Sequence, residues 1–484
     1  MLHSIGFLFT AMLCAAAIGA STAQEVVWSS TFGGIAWDEC TACVQCVDGG
    51  YALAGFSESW SFSDDCWLVK TDQVGKQEWA SLLGGTGNDE GYSLLQTNDG
   101  GFIIAGATDS YGAGSSDAWL LRTDSLGGLL WMKTFGTSDE DMFFDICPTS
   151  DGCFAATGSS GVFPTDMHLY LVKLDETGSL VWERFYGGGI LDCGFSVRET
   201  SDGGFIIAGG NGSGSGGSTI DGWLLKTDAG GNYQWDLVLG GSGYDRFNSA
   251  RQTLDGGFIA AGYSYSSDPN NGDLWLVRTG QDGELTWDTT IGEANGSESA
   301  ESIELAPDGG FIIAGFNSSV AWPNADLWLL KTDSSGDIGW DTFFGGDDID
   351  IGSCLVLTQD GCFVVGGKTR SYGAGDFDYL LVKFEPPLGV PEEPPPPALV
   401  GHLTASPNPF ASTSTVTFDL AQPTQVQLEV FDSSGRLIGT LADGYLEEGS
   451  HSAIFDGSAL PSGIYLCRLQ AGASSATTRV VLLR

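Results

Sequence analysis

Seven carboxylates recur at one position along the chain: Asp38, Asp89, Asp141, Asp192, Asp245, Glu298 and Asp350. Each stands ten residues ahead of an Asp-Gly pair, at Asp48, Asp99, Asp151, Asp202, Asp255, Asp308 and Asp360. Carboxylate oxygens are hard ligands, so a ring of them is a candidate site for Ca²⁺ or a cationic ligand. The same side chains suit a structural task, accepting backbone N–H groups from neighbouring Gly-rich turns. Paired carboxylates would also serve a glycoside hydrolase, but nothing distinguishes one acidic pair as catalytic. A second group is aromatic: Trp60, Tyr111, Tyr263, Tyr265, Trp322 and Tyr372 lie in segments whose length and sequence wander. Such rings either stack on sugars or pack between structural units. Cys40, Cys43 and Cys46 have the spacing of metal ligands, yet no second cluster or nearby His completes a site. His168 is the one histidine between residues 24 and 385. No nucleophile elbow, His-rich metal motif or phosphate loop is present.

These residues are positioned by a repeat. Thr97-Asn98-Asp99-Gly100-Gly101-Phe102-Ile103-Ile104-Ala105-Gly106 has counterparts at every Asp-Gly pair, spaced 51–53 residues apart. A period of that size marks a repeat architecture. Asp-Gly between apolar runs predicts a hairpin with a two-residue type I′ turn. Two further landmarks follow. One is Trp67, Trp119, Tyr170, Trp223, Trp275, Trp328 or Leu380; the other, twelve residues on, is Trp79, Trp131, Trp182, Trp235, Trp287 or Trp340. Each unit is therefore expected to hold four strands, here termed a, b, c and d, the pattern of a propeller blade.

The seventh unit stops after Leu380-Leu381-Val382-Lys383, without a d strand. Val26-Val27-Trp28-Ser29-Ser30-Thr31-Phe32-Gly33-Gly34 matches Leu130-Trp131-Met132-Lys133-Thr134-Phe135-Gly136 and supplies the missing piece. The expected fold is all-β: a seven-bladed β-propeller closed by its N-terminal strand, with an acidic ring at one mouth of the channel. The variable b–c segments should share that face, and variable loops on a rigid scaffold are where specificity resides.

Composition sets the compartment. The chain has 484 residues, 72 of them Gly, with 62 acidic and 19 basic residues and a formal net charge of −43. Such acidity disfavours nucleic acid and anionic membrane surfaces as partners. Residues 1–23 read as a secretory signal, apolar from Ile5 to Ala20 and ending Ser21-Thr22-Ala23. Ten cysteines follow, and export makes disulfides possible. No later apolar run is long enough to span a bilayer. The domains are thus 1–23 signal peptide, 24–385 propeller, 386–401 Pro-rich linker and 402–484 a small β-sandwich.

The last segment carries a resemblance. Ser406-Pro407-Asn408-Pro409-Phe410, Val426-Gln427-Leu428-Glu429-Val430-Phe431-Asp432-Ser433-Ser434-Gly435-Arg436, Pro461-Ser462-Gly463-Ile464-Tyr465 and Arg479-Val480-Val481-Leu482-Leu483-Arg484 resemble the type IX secretion C-terminal sorting domain, similar in turn to the immunoglobulin-like domain of hook-capping proteins. The resemblance implies the type IX machinery as partner, a Gram-negative-type envelope, export across the outer membrane, cleavage of the domain and attachment of the cargo to the cell surface. The repeat also resembles uncharacterised repeat proteins that carry such domains. Its Gly-x-x-x-Trp element is similar to the tryptophan-docking repeat of quinoprotein dehydrogenases. Those enzymes use eight blades and adjacent cysteines, and the quinone does not carry over.

The expected function is a secreted or surface-attached, non-enzymatic propeller that binds an extracellular polysaccharide or envelope protein, with Ca²⁺ as the one cofactor under consideration. The alternatives are a polysaccharide hydrolase or lyase using channel-mouth carboxylates, and a structural surface protein.

Overall fold

The computed structural model describes residues 25–385 and 403–482, apart from 62, 163–164, 190, 213–218, 267–270, 294–295, 319–323, 409, 421–422, 433–436, 448, 459, 462 and 472–473. The signal-peptide and linker expectations lie outside the described residues. The chain divides into two compact units, Met1–Pro387 and Leu388–Arg484. No helix occurs among the described residues.

The first unit consists of seven four-stranded antiparallel sheets among the described residues, a propeller-like repeat. The first sheet runs Asp38–Gln45, Tyr51–Ser57, Asp65–Thr71 and Gln77–Leu83. The seventh runs Asp350–Leu357, Phe363–Thr369, Asp378–Phe384 and then Val26–Phe32, which is its d strand. Glu385 N–H donates to the Glu25 carbonyl at 2.9 Å, so the first and last described residues of this unit lie side by side. Each sheet packs on the next in sequence, and the a strand of the first packs on the a, b and c strands of the seventh.

The a–b hairpin differs from the sequence expectation. Cys46 N–H bonds to the Gly50 carbonyl and Gly49 N–H bonds back to the Cys46 carbonyl, which leaves a three-residue loop. Only the glycine needs positive φ, 83° at Gly49 and 85° at Gly100. This is a type I turn closed by a left-handed Gly, not type I′. It frees the turn Asp to reach across to the c strand. Lys70–Asp48, Arg122–Asp99, Lys173–Asp151, Lys226–Asp202, Arg278–Asp255, Lys331–Asp308 and Lys383–Asp360 pair in this way, one per sheet. Hydrogen bonds from Thr97 and Arg122 hold the Asp99 carboxyl down at about 2. A lowered carboxylate stabilises the fold above its unfolded value of about 3.9 and loses that contribution as pH falls toward 2.

Between sheets, the d-strand Trp docks on the following unit. Trp28, Trp79, Trp182, Trp235, Trp287 and Trp340 lie 5.5–6.4 Å from Tyr51, Phe102, Phe205, Phe258, Phe311 and Phe363, the first b-strand residue of the next sheet. A Cβ at Gly283 would meet the Trp235 ring at 2.5 Å. The Gly of the c–d turn is therefore required for indole docking as well as for its φ of 83°.

The second unit is two sheets around one core: Thr404–Ser406, Thr413–Leu420 and Gly449–Asp456 against Leu437–Leu446, Thr424–Asp432, Gly463–Ala471 and Ser474–Leu482. Phe410, Val416, Phe418, Leu428, Val430, Phe455, Tyr465 and Leu469 fill the space between them. Leu437–Leu446 was not expected as a strand, because Gly439, Asp443 and Gly444 break its alternation.

Truncating Trp235 to Ala should lower the unfolding free energy by about 3 kcal/mol. The exposed Leu254→Ala should change it by less than about 0.5 kcal/mol. Urea unfolding of the full chain reads both, and equal midpoints for the two variants would refute the docking role.

Candidate functional site

The acidic series begins the a strand of each sheet, except in the third and fourth sheets, where Asp141 lies second and Asp192 just ahead of the strand. All seven side chains are buried. Each backbone N–H crosses to the preceding sheet and donates to the residue ahead of its c strand. Acceptors are Phe377, Asp64, Ser116, Ile220, Gly272 and Ala325 for Asp38, Asp89, Asp141, Asp245, Glu298 and Asp350, and Met167 within the third c strand for Asp192, at 2.6–3.2 Å. The carboxylates turn to the loops of their own sheet. Asp89 accepts from Gly85 N–H at 2.7 Å, Ser110 Oγ at 2.6 Å and Thr108 Oγ1. Asp38, Asp245 and Asp350 repeat this set through Gly34, Gly241 and Gly346 and through Ser57 and Ser59, Ser264 and Ser266, Thr369 and Ser371. Asp192 accepts from Gly188, Gly189 and Gly212, and Asp141 from Thr137. Among the described residues, no three His, Cys, Asp or Glu side chains converge as a metal site. Glu298 departs from the series. Burial, with Asp273 and Glu293 nearby, pushes its carboxyl up to about 7.

The described loop aromatics differ in their surroundings. Tyr111 Oη donates to the Gly84 carbonyl at 3.0 Å and Tyr372 Oη to that of Gly345 at 2.6 Å, so each ring pins the adjacent d–a turn. Trp60 is 59% exposed. Tyr263 and Tyr265 touch edge to face at 5.6 Å. Trp322 lies outside the described residues.

A different set of residues converges. Every a–b ladder slips register at one place, between Cys40 and Ala42, Gly91 and Ser93, Phe143 and Asp145, Gly194 and Ser196, Phe247 and Ser249, Ala300 and Ser302, and Gly352 and Cys354. A bulge leaves one residue unpaired and re-aims its side chain. The seven bulged residues are Thr41, Tyr92, Phe144, Phe195, Asn248, Glu301 and Ser353, and all seven line one cavity of about 600 Å³. Every a strand contributes to its wall.

The wall is two-sided. Tyr92, Phe144 and Phe195 form a continuous aromatic arc, with ring centroids 5.3 and 5.1 Å apart. Arg246 extends it, its guanidinium 4.5 Å from the Phe195 centroid. Asn248 and Glu301 follow in polar contact at 3.1 Å. Three residues further along the strands, Arg198 pairs with Asp145, and Arg251 with Glu304 at 2.6 Å. Asp145 also accepts from Ser93 Oγ at 2.8 Å and Val197 N–H at 2.9 Å, which fixes its carboxylate. Aromatic faces and hydrogen-bonding side chains thus line one space, in the size range of small-ligand sites. The signal was present in the sequence as the third residue after each recurrent acid, a position that varies at constant spacing.

In wild type, the unfolded Glu298 carboxyl ionises near 4.3 and the folded one near 7. Stability should therefore fall as pH rises between those values. Glu298→Gln should raise Tm by a few degrees at about pH 8 and leave it unchanged near pH 4.5. Parallel Tm profiles for the two proteins would refute this.

Comparison with known proteins bears mainly on the second unit. Residues 405–483 match the family model of the secretion system C-terminal sorting domain. No curated protein matches the chain. Among solved structures, a fungal alcohol oxidase of the AA5 family in complex with copper aligns at TM-score 0.48 and 12% identity, over 96% of this chain and all of that one. PorZ, a surface component of the type IX secretion system of Porphyromonas gingivalis, aligns at TM-score 0.20 and 10% identity, over 96% of this chain and 87% of that one. An endo-arabinase from Bacteroides thetaiotaomicron VPI-5482 aligns at TM-score 0.27 and 9% identity, over 61% and 93%. Likenesses of this size carry no functional argument. No described helix is long and apolar enough to cross a membrane. Residues 405–483 are a type IX sorting domain, and they mark the chain as a secreted, cell-surface protein whose export partner is the type IX machinery.

Proposed function

We propose that the first unit is a closed seven-bladed propeller that binds an extracellular polysaccharide in its central chamber without transforming it. Ring closure is supported by the packing of the first sheet on the seventh and by the Asp38 N–H bond to the Phe377 carbonyl at 2.7 Å. The observation that carries the function is the chamber itself, walled by all seven a strands. Sugar rings present apolar C–H faces and peripheral hydroxyls. The arc of Tyr92, Phe144 and Phe195 offers flat apolar surface, and Asn248, Glu301 and Arg251 offer donors and acceptors. The recurrent acids act as loop clamps in this reading, since most of their oxygens already accept hydrogen bonds. Millimolar Ca²⁺ should then leave Tm unmoved, and a marked rise would restore the cation reading.

The decisive experiment incubates the full chain with soluble and insoluble polysaccharides and scores bound protein and newly formed sugar ends together. Retention is expected, with no new ends. Phe144→Ala combined with Phe195→Ala should weaken retention tenfold or more, about 1.4 kcal/mol. Trp60→Ala should leave it intact. New sugar ends would overturn the non-enzymatic reading. Retention insensitive to the arc would move the site to the loops, and retention on no polysaccharide would favour a protein ligand.

A further inference from the structure

The boundary between the first and seventh sheets brings two cysteine sulfurs into contact. The bulge at Thr41 puts Cys40 and Cys43 on one face of the first a strand, because the ladder pairs them with Gly55 and Leu53. Both are buried in a cluster that includes Val364, Tyr379 and Leu381 of the seventh sheet. Cys46 falls on the opposite face, in the cluster shared with the second sheet. The Cys-x-x-Cys-x-x-Cys spacing is therefore split between two interfaces.

Cys354 immediately follows the bulge of the seventh a strand. In the second and third sheets the equivalent residue reaches across to the next sheet. Ser93 Oγ accepts from Ile146 N–H at 3.3 Å, and the Asp145 carboxylate accepts from Val197 N–H at 2.9 Å. Cys43 occupies the position equivalent to Ile146 and Val197. The fold therefore places residues 354 and 43 face to face, and here both are cysteine. Their Sγ atoms lie 2.9 Å apart, closer than two unbonded sulfur atoms pack. A Cβ on Gly366 would meet Cys354 Sγ at 2.8 Å and Cys43 Sγ at 3.2 Å. The glycine thus keeps space for the sulfur pair.

From this geometry we infer that Cys43 and Cys354 form a disulfide that locks the seam between the first and seventh sheets. Each thiol loses one hydrogen, and the two protons and two electrons pass to an oxidising protein disulfide, which leaves as its dithiol. The compartment fits, since the chain is secreted and such oxidants act outside the cytoplasm. Contact with Cys354 and burial push the Cys43 thiol well up in the folded state, and burial with Cys40 beside it does the same to Cys354. Exchange accordingly belongs to the stage when the seam is closing and the sulfurs are still open to solvent. The crosslink joins residues 311 positions apart, so it restricts the unfolded chain over nearly the whole ring.

The test uses the exported protein, released from the cell surface and purified without reductant. Free thiols are alkylated in denaturant, and non-reduced peptides are mapped by mass. A linked species containing Cys43 and Cys354, lighter by two hydrogens than the sum of its peptides, is expected. Alkylation of both residues, or a Cys40–Cys354 link, would overturn the assignment. A thermal comparison keeps the result independent of the digest. Reductant should lower the wild-type Tm by about 5 °C or more. The same loss should be built into Cys43→Ser and Cys354→Ser, which reductant should not lower further. Cys40→Ser should keep the wild-type response; loss of that response would count against the Cys43 pairing.

Discussion

One backbone hydrogen bond organises the first unit. It runs from the N–H of the recurrent acidic residue to a carbonyl at the start of the preceding sheet's c strand, and it is made at every boundary. Strand ladders satisfy the backbone within a sheet, but they say nothing about how one sheet meets the next. This bond supplies that information. It sets the height and angle at which an a strand enters, and the carboxylate on the same residue then ties in the two loops beside it. An Asp fits because its short side chain reaches those loops while its own amide is engaged elsewhere. Glu298 keeps the amide bond with one more methylene, and it is the member of the series whose carboxyl is driven strongly toward the protonated form.

The acidity of the chain takes on a different meaning once the ion pairs are placed. Seven of the 19 basic residues sit on c strands and neutralise the Asp of the hairpin turn. Their stems are buried while the carboxylates remain half in water; Lys226 and Asp202 are 4% and 53% exposed. Pairs of that kind contribute modest energy but fix geometry. Arg198 and Arg251 are committed to the chamber, and Arg246 stacks on Phe195 of its wall. Little positive charge is left for the outer surface, which stays strongly anionic and keeps the molecule dispersed outside the cell.

What the sequence made legible was whatever the repeat holds constant. Four strands per unit, the d-strand Trp and the completion of the seventh sheet by Val26–Phe32 could all be read from spacing. The turn class was misread because Asp-Gly serves both two- and three-residue hairpins, and the choice depends on where Gly50 pairs. The chamber was missed for a related reason. A bulge inserts one residue without changing the repeat length, so strand alternation counted through it assigns Tyr92, Phe144 and Phe195 to the wrong direction. Tyr111 and Tyr372 are legible as variable-loop aromatics, while the structure adds that their hydroxyls brace turns.

The adjacency of Glu25 and Glu385 has a topological consequence. In the closed ring proposed above, a last sheet that takes its outer strand from Val26–Phe32 leaves no privileged starting residue. The Gly-rich connections between sheets are equivalent cutting points. A chain that began at Gly84 or Gly240 and ran round through a bridged 385–25 junction would contain the same ladders and the same boundaries. Only the identity of the split sheet would change. Evolution by duplication of a whole unit is thereby separated from the choice of where the polypeptide opens. That choice is free to follow the demands of export without disturbing the cavity that the a strands line.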